Sequence, residues 1–153
     1  RTFRKLKLRP RRTIEFVLFM GEEQGLLGSR SMVENLKKSG KLDQIRYVMN
    51  LDMTNNPTGI NAFGRPEMTP FFSEVGETIR RVEPAFANQS TNQAGLHSDH
   101  QPFMIEGIPV AGLNGRLTKE VLDCYHADCD KLNLVDREQL KNTVRYGAMT
   151  LYA

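Results

Sequence analysis

Thr13 to Gly25 reads TIEFVLFMGEEQG, an apolar stretch that runs through a glycine into two adjacent acids. Residues 13–20 are rich in Ile, Phe and Val and lose strict alternation at VLFM, which predicts an interior strand covered on both faces. Gly21 ends that strand. The neighbouring carboxylates Glu22 and Glu23 repel each other and resist desolvation. Such a pair at a strand's end makes chemical sense if one holds a cation and the other handles a proton.

Outward from that stretch, strand and helix patterns alternate. Residues 26–38, LLGSRSMVENLKK, predict a helix with Met32, Val33 and Leu36 near one line, stopped by Ser39-Gly40. YVMNLDM (47–53) reads as a second buried strand, NNPTG as a turn, and residues 59–63 as a short further strand. Thr69-Pro70 marks a helix start, with Thr69 as cap. Phe71, Phe72, Val75, Ile79 and Val82 recur down one side, and Glu83-Pro84 closes it. Residues 85–97 lack periodicity and read as a long loop. Ser98 caps a short helix over DHQPFMIEG, IPVAGLN (108–114) is a third strand, and a loop follows from Gly115 to Leu132. A last helix spans about Asp136 to Tyr152, with Leu140, Val144, Ala148 and Leu151 as its apolar stripe. This alternation predicts an α/β sheet covered by helices.

The chain has 153 residues, 39% hydrophobic and 25% charged, which suits one globular domain. Its apolar runs fall short of the roughly 20 residues that span a membrane. The first residues, RTFRKLKLRPRR, lack a signal-peptide pattern. With no initiating Met, the expectation is an internal or processed piece: a basic lead-in over 1–12, then a domain portion over 13–153. The net charge of +3 comes from that lead-in, which holds seven bases and no acid; 21 bases less seven leaves 14 against 18 acids, a net of −4. Zinc-finger spacing and basic-aromatic interleaving are missing, so nucleic acid is not an expected partner. Cys124 and Cys129 flank His126; they form a small-loop disulfide, stay reduced, or are bystanders, and two Cys with one His fall short of a structural zinc site.

The residues suited to chemistry share one edge. Glu22 and Glu23 follow the first predicted strand, Asp52 ends the second, and His126 follows the third. Ligands bind at that carboxyl edge in open α/β sheets. Carboxylates and imidazole suit Zn²⁺ or similar ions, and a second carboxylate beside a ligand can carry a proton. Each residue alone has a plain reading: the Glu pair as helix-start decoration, Asp52 as a turn cap, His126 as a loop residue, His97 and His100 as surface or supporting groups. Their common placement favours the functional reading.

At this point the chain resembles the co-catalytic dizinc exopeptidases of the M28 peptidase family. The matching elements are GEEQGLLGS (21–29), NLDM (50–53), SDHQPF with GIPV (98–110) and YHADCDKL (125–132). The resemblance implies a three-layer sandwich, with a mixed, mostly parallel sheet between helices, and hydrolysis of the terminal peptide bond of a peptide substrate. It implies two zinc ions per complete catalytic domain. Glu22 is then the general base acting on a metal-activated water, Glu23 and His126 ligate one zinc, and Asp52 ligates the other. Ser98 and Asp99 line or brace the site, and Asp130 fixes its loop. Some aminopeptidase members carry an oxyanion-stabilising Tyr just before the SDH motif; here that stretch is QAGLH (93–97), leaving the role vacant or moved to His97.

The family's remaining His ligand and its bridging Asp lie upstream of this chain. The resemblance therefore implies a partial zinc site, an N-terminal part of the same domain as partner, and self-association through exposed sheet edges. It also implies a secreted or extracytoplasmic protein, although the residues themselves assign no compartment. Aminopeptidase is the first reading. Carboxypeptidase, a glutaminyl cyclase-like acyltransferase and a non-catalytic binding domain are the alternatives.

Overall fold

The computed structural model describes residues 2–153. In chain order its elements are α1 (Thr2–Lys5), α2 (Leu27–Lys38), β1 (Val48–Asn50), β2 (Gly59–Asn61), α3 (Thr69–Val82), α4 (Gln101–Ile105), β3 (Val110–Asn114), α5 (Lys119–Asp123) and α6 (Arg137–Tyr152), with short 3₁₀ turns between them. The sheet order is β1-β3-β2. β1 runs parallel to β3, Val48 opposite Val110; β2 runs antiparallel to it, Gly59 opposite Asn114. The described sheet is thus mixed, with one parallel and one antiparallel pair, and not mostly parallel.

The pleat of β3 sorts the core into two clusters, because successive side chains point to opposite faces. Val110 packs with Val33, Phe103 and Ile108, under α2 and α4. Ala111 and Leu113 pack with Ile60, Phe72, Val75, Ile79, Phe86 and Tyr146, under α3 and α6. Helices therefore cover both faces, an α/β/α arrangement. Each large side chain removed from water contributes about 1.5–3 kcal/mol.

The first predicted strand does not form. Residues 13–19 join no strand ladder, and Phe16 (83%), Leu18 (95%) and Met20 (81%) are exposed. An apolar sequence becomes a strand only when a neighbour satisfies its backbone, and no described strand lies beside it. Ile14 and Phe19 are half-buried, the Phe19 ring 6.1 Å from that of Phe103.

Other boundaries hold with local corrections. α2 buries Val33 and half-buries Met32 and Leu36. α3 ends where Glu83-Pro84 stops it, but Thr69 lies inside the helix with its hydroxyl unbonded, because a 3₁₀ turn, Pro66–Met68, leads in. Its buried line is Phe72, Val75, Gly76 and Ile79, while Phe71 and Val82 face water. Ser98 serves α4 only through its carbonyl, which accepts from Gln101 N at 2.9 Å. The loop before residue 132 contains α5, capped by the Thr118 hydroxyl.

α6 starts at the Asp136 carboxylate, which accepts from the N–H groups of Glu138 and Gln139. The face it buries is Thr143, Tyr146, Gly147 and Thr150, whereas Leu140 and Val144 of the expected stripe are exposed. Tyr146 meets Phe86 edge-on at 4.9 Å, and the two hydroxyls are satisfied by the carbonyls of Thr54 and Tyr146.

Residues 88–93 run along β2. Gln89 N donates to Thr58 O, Thr91 N to Ile60 O and Ala62 N to Thr91 O, each at 2.9 Å. The approach at Gly59 requires glycine, since an added Cβ would lie 1.9 Å from the Gln89 carbonyl oxygen.

Candidate active site

The two acids sit in a tight turn between the extended run and α2. Gly21, at φ +72°, opens it. The Glu22 carbonyl accepts from both Gly25 N (2.9 Å) and Leu26 N (2.8 Å). Leu27 N and Gly28 N then bond back to Gly21 O and Met20 O, clamping the turn onto the first turn of α2. Glu22 is half-buried and Glu23 exposed.

His126 arrives from the other end of the chain. Its loop follows α5 and is closed by a disulfide between Cys124 and Cys129, Cα atoms 5.2 Å apart. The imidazole stacks on Tyr125 at 3.8 Å between ring centroids. Its Nε2 lies 2.9 Å from Glu23 Oε1, each side chain more than half exposed. The two residues expected to share an ion are therefore in contact.

Asp52 follows β1 and is exposed; it borders an open cleft of about 470 Å³ lined also by Met53, Phe63, Gln93, Leu113 and Asn114. Asp99 is half-buried, and its Oδ1 is fully enclosed without a hydrogen-bond partner. The carboxyl of Glu22 is raised above its ordinary pKa, first by burial and then by the charges of Glu23, Asp52 and Asp99, with His126 opposing. Three carboxylate charges thus act on Glu22 against one imidazole. His97 and Asp130 are exposed; the Asp130 N–H donates to Ala127 O at 3.0 Å, bracing the His126 loop through its backbone.

A polar cluster beneath this edge went unread in the sequence. Asn50 Nδ2 donates to Ser98 Oγ at 2.9 Å and lies 3.2 Å from His100 Nδ1. His100 Nε2 lies 2.6 Å from Gly95 O. A carbonyl only accepts, so Nε2 carries the proton and Nδ1 accepts from the amide. His100 is held below its ordinary pKa, chiefly by burial. Ser98 and His100 are both buried, so the motif SDH hangs from β1 through Asn50. The available signal was an amide within an otherwise apolar strand, which must find a partner.

The donor set suits a divalent cation: oxygen and imidazole ligands, surplus negative charge and an orphaned carboxylate oxygen. Among the described residues no three His, Cys, Asp or Glu side chains converge into a preformed metal cradle. Glu23 with His126 is a pair, and Asp52 stands apart from it.

Comparison with known proteins identifies the setting. The family model "Peptidase family M28" matches residues 1–151. Carboxypeptidase Q of Xenopus laevis is 30% identical over 132 residues, covering 86% of this chain and 27% of the relative. Leupeptin-inactivating enzyme 1 of Streptomyces exfoliatus is 29% identical over 174 residues, covering 95% and 37% respectively. The structure of BSAP, a zinc aminopeptidase from Bacillus subtilis, superposes with a TM-score of 0.65 at 25% identity, over 88% of this chain and 34% of that one. The chain thus spans about a third of the length of the relatives it matches.

Proposed function

The chain belongs to peptidase family M28, and from that premise we propose that it is part of a zinc-dependent exopeptidase, an aminopeptidase that removes the terminal residue of a peptide. The observation that carries the reading is the Glu23–His126 contact of 2.9 Å with Glu22 beside it. Glu23 and His126 would hold one zinc and Asp52 the second. Bound zinc supplies Lewis acidity toward the scissile carbonyl and makes water a better nucleophile.

Glu22 takes a proton from the attacking water and returns it to the departing amine. It can do so because it leaves the turn beside Glu23 without sharing that residue's partner. Asp99, next to the Ser98 that Asn50 anchors, adds a negative charge that helps raise the Glu22 carboxyl above its ordinary pKa. Ligands upstream in the full-length protein would complete the metal set, and the exposed Phe16, Leu18 and Met20 support docking of further chain of the same domain, or self-association, at that edge. The disulfide supports an extracytoplasmic place of action.

Carboxypeptidase is the second reading, favoured by the resemblance to carboxypeptidase Q. In the full-length protein, zinc content and cleavage of aminoacyl-4-nitroanilides test the first. Two zinc ions per chain with chelator-sensitive release of nitroaniline are expected. Cleavage only of substrates with a free carboxyl terminus would favour the second reading. Cyclisation of an N-terminal Gln without hydrolysis would favour a glutaminyl cyclase-like activity, and folded protein with neither metal nor turnover would overturn the enzyme reading.

A further inference from the structure

We propose that the Cys124–Cys129 disulfide is the positioning element that holds His126 ready for zinc, so that a thiol reductant weakens metal binding. The inference rests on the metal-ligand reading of His126. The covalent bond spans the imidazole's own loop, with one residue between Cys124 and His126 and two between His126 and Cys129. Cys124 is tied to the end of α5, its N–H donating to Glu120 O at 3.3 Å. Within the loop one backbone bond, Ala127 N to Cys124 O at 3.0 Å, spans His126. His126 itself adopts φ +57°, a left-handed conformation that non-glycine residues seldom take unless their surroundings hold it. The disulfide and the Ala127–Cys124 bond hold it on the backbone side, and the Tyr125 stack and the Glu23 contact hold it at the imidazole.

The Glu23 contact is exposed on both partners and so is a weak tether. The disulfide is the covalent restraint among these contacts. Cys129 is exposed and Cys124 partly so, which leaves the bond open to attack. A dithiol reduces it through a mixed disulfide: both cysteine sulfurs become thiols, and the reductant's two thiols become its own cyclic disulfide. His126 then leaves its left-handed conformation, and ordering it again is charged to zinc binding.

The test is zinc affinity of the full-length protein, by competition with a chromogenic chelator. Three forms are compared with wild type: Cys124→Ser/Cys129→Ser, His126→Gln, and wild type reduced with a dithiol, alkylated and desalted so that no free thiol competes for metal. The first and third should bind about 10- to 100-fold more weakly, as expected when a ligand's support is removed. The metal-free imidazole resonance of His126, assigned with His126→Gln, should move to the position of a histidine in a free peptide. If the serine variant does not fold, the reduced and alkylated form gives the answer. Unchanged affinity and resonance in the cut forms, with loss in His126→Gln, would overturn the positioning role alone. Wild-type affinity in His126→Gln would overturn the ligand reading and this inference with it.

Discussion

Asn50→Ala tests whether the candidate site hangs from β1. The substitution removes the bonds of 2.9 Å to Ser98 Oγ and 3.2 Å to His100 Nδ1. Ser98 is 7% exposed and His100 3%, so water does not replace the amide. A buried polar group left unsatisfied costs about 1–3 kcal/mol, and the Ser98 hydroxyl can rotate, so the pair should cost about 2–4 kcal/mol. For a chain of this size that is a fall in Tm of about 5–15 °C. Asn50→Asp adds a sign. In wild type the His100 pKa is depressed below the 6.5 of a free histidine. The unfolded chain then binds the proton more readily, so this contribution to stability is complete above pH 6.5 and is lost as pH falls through the folded value. A carboxylate at position 50 instead favours the imidazolium. Its contribution is complete below about pH 6.5 and is lost as pH rises through the raised folded value. Urea titrations from pH 5 to 8 should give opposite slopes attributable to His100 in the two proteins. Parallel curves, or an Asn50→Ala loss under about 0.5 kcal/mol, would refute the anchoring argument.

Glu22→Gln in the full-length protein should keep zinc and lose kcat by at least about 100-fold, the lower range for a proton-transferring group; Glu23→Gln should lose zinc, and equal metal loss in both would refute the division of roles. Glu23→Gln should also leave the metal-free protein within about 1 kcal/mol of wild type in urea, because its contact with His126 is exposed. Phe72→Ala, in a side chain 2% exposed, should cost about 3–5 kcal/mol in the same assay. Gly59→Ala should cost at least about 3 kcal/mol, since the clashing atom is a backbone oxygen that cannot swing aside; a smaller loss would show that residues 88–91 yield easily.

α3 was legible because its signals are local: Pro70 at the start, Glu83-Pro84 at the end, and apolar spacing between. Residues 13–20 were not, because a ladder depends on a partner as much as on the strand's own side chains. α6 shows a different failure. Leu140 and Val144 have the higher hydrophobicity, yet the helix turns Tyr146, Gly147 and two threonines inward. Tyr146 fills the space beside Phe86, and each threonine hydroxyl finds a carbonyl, so shape and satisfied hydrogen bonds outweigh the apolar stripe. In the site, the acids could be picked out because they follow apolar segments. The role of His100 could not, because its partner lies 50 positions away.

If Glu23 and His126 are zinc ligands as proposed, their contact bears on how an ion would be taken up. Before any metal arrives, folding has already brought two donors from opposite ends of the chain to within 2.9 Å. On the proposed ligand reading, an incoming cation would meet two donors already side by side, and the second would close at a high effective concentration.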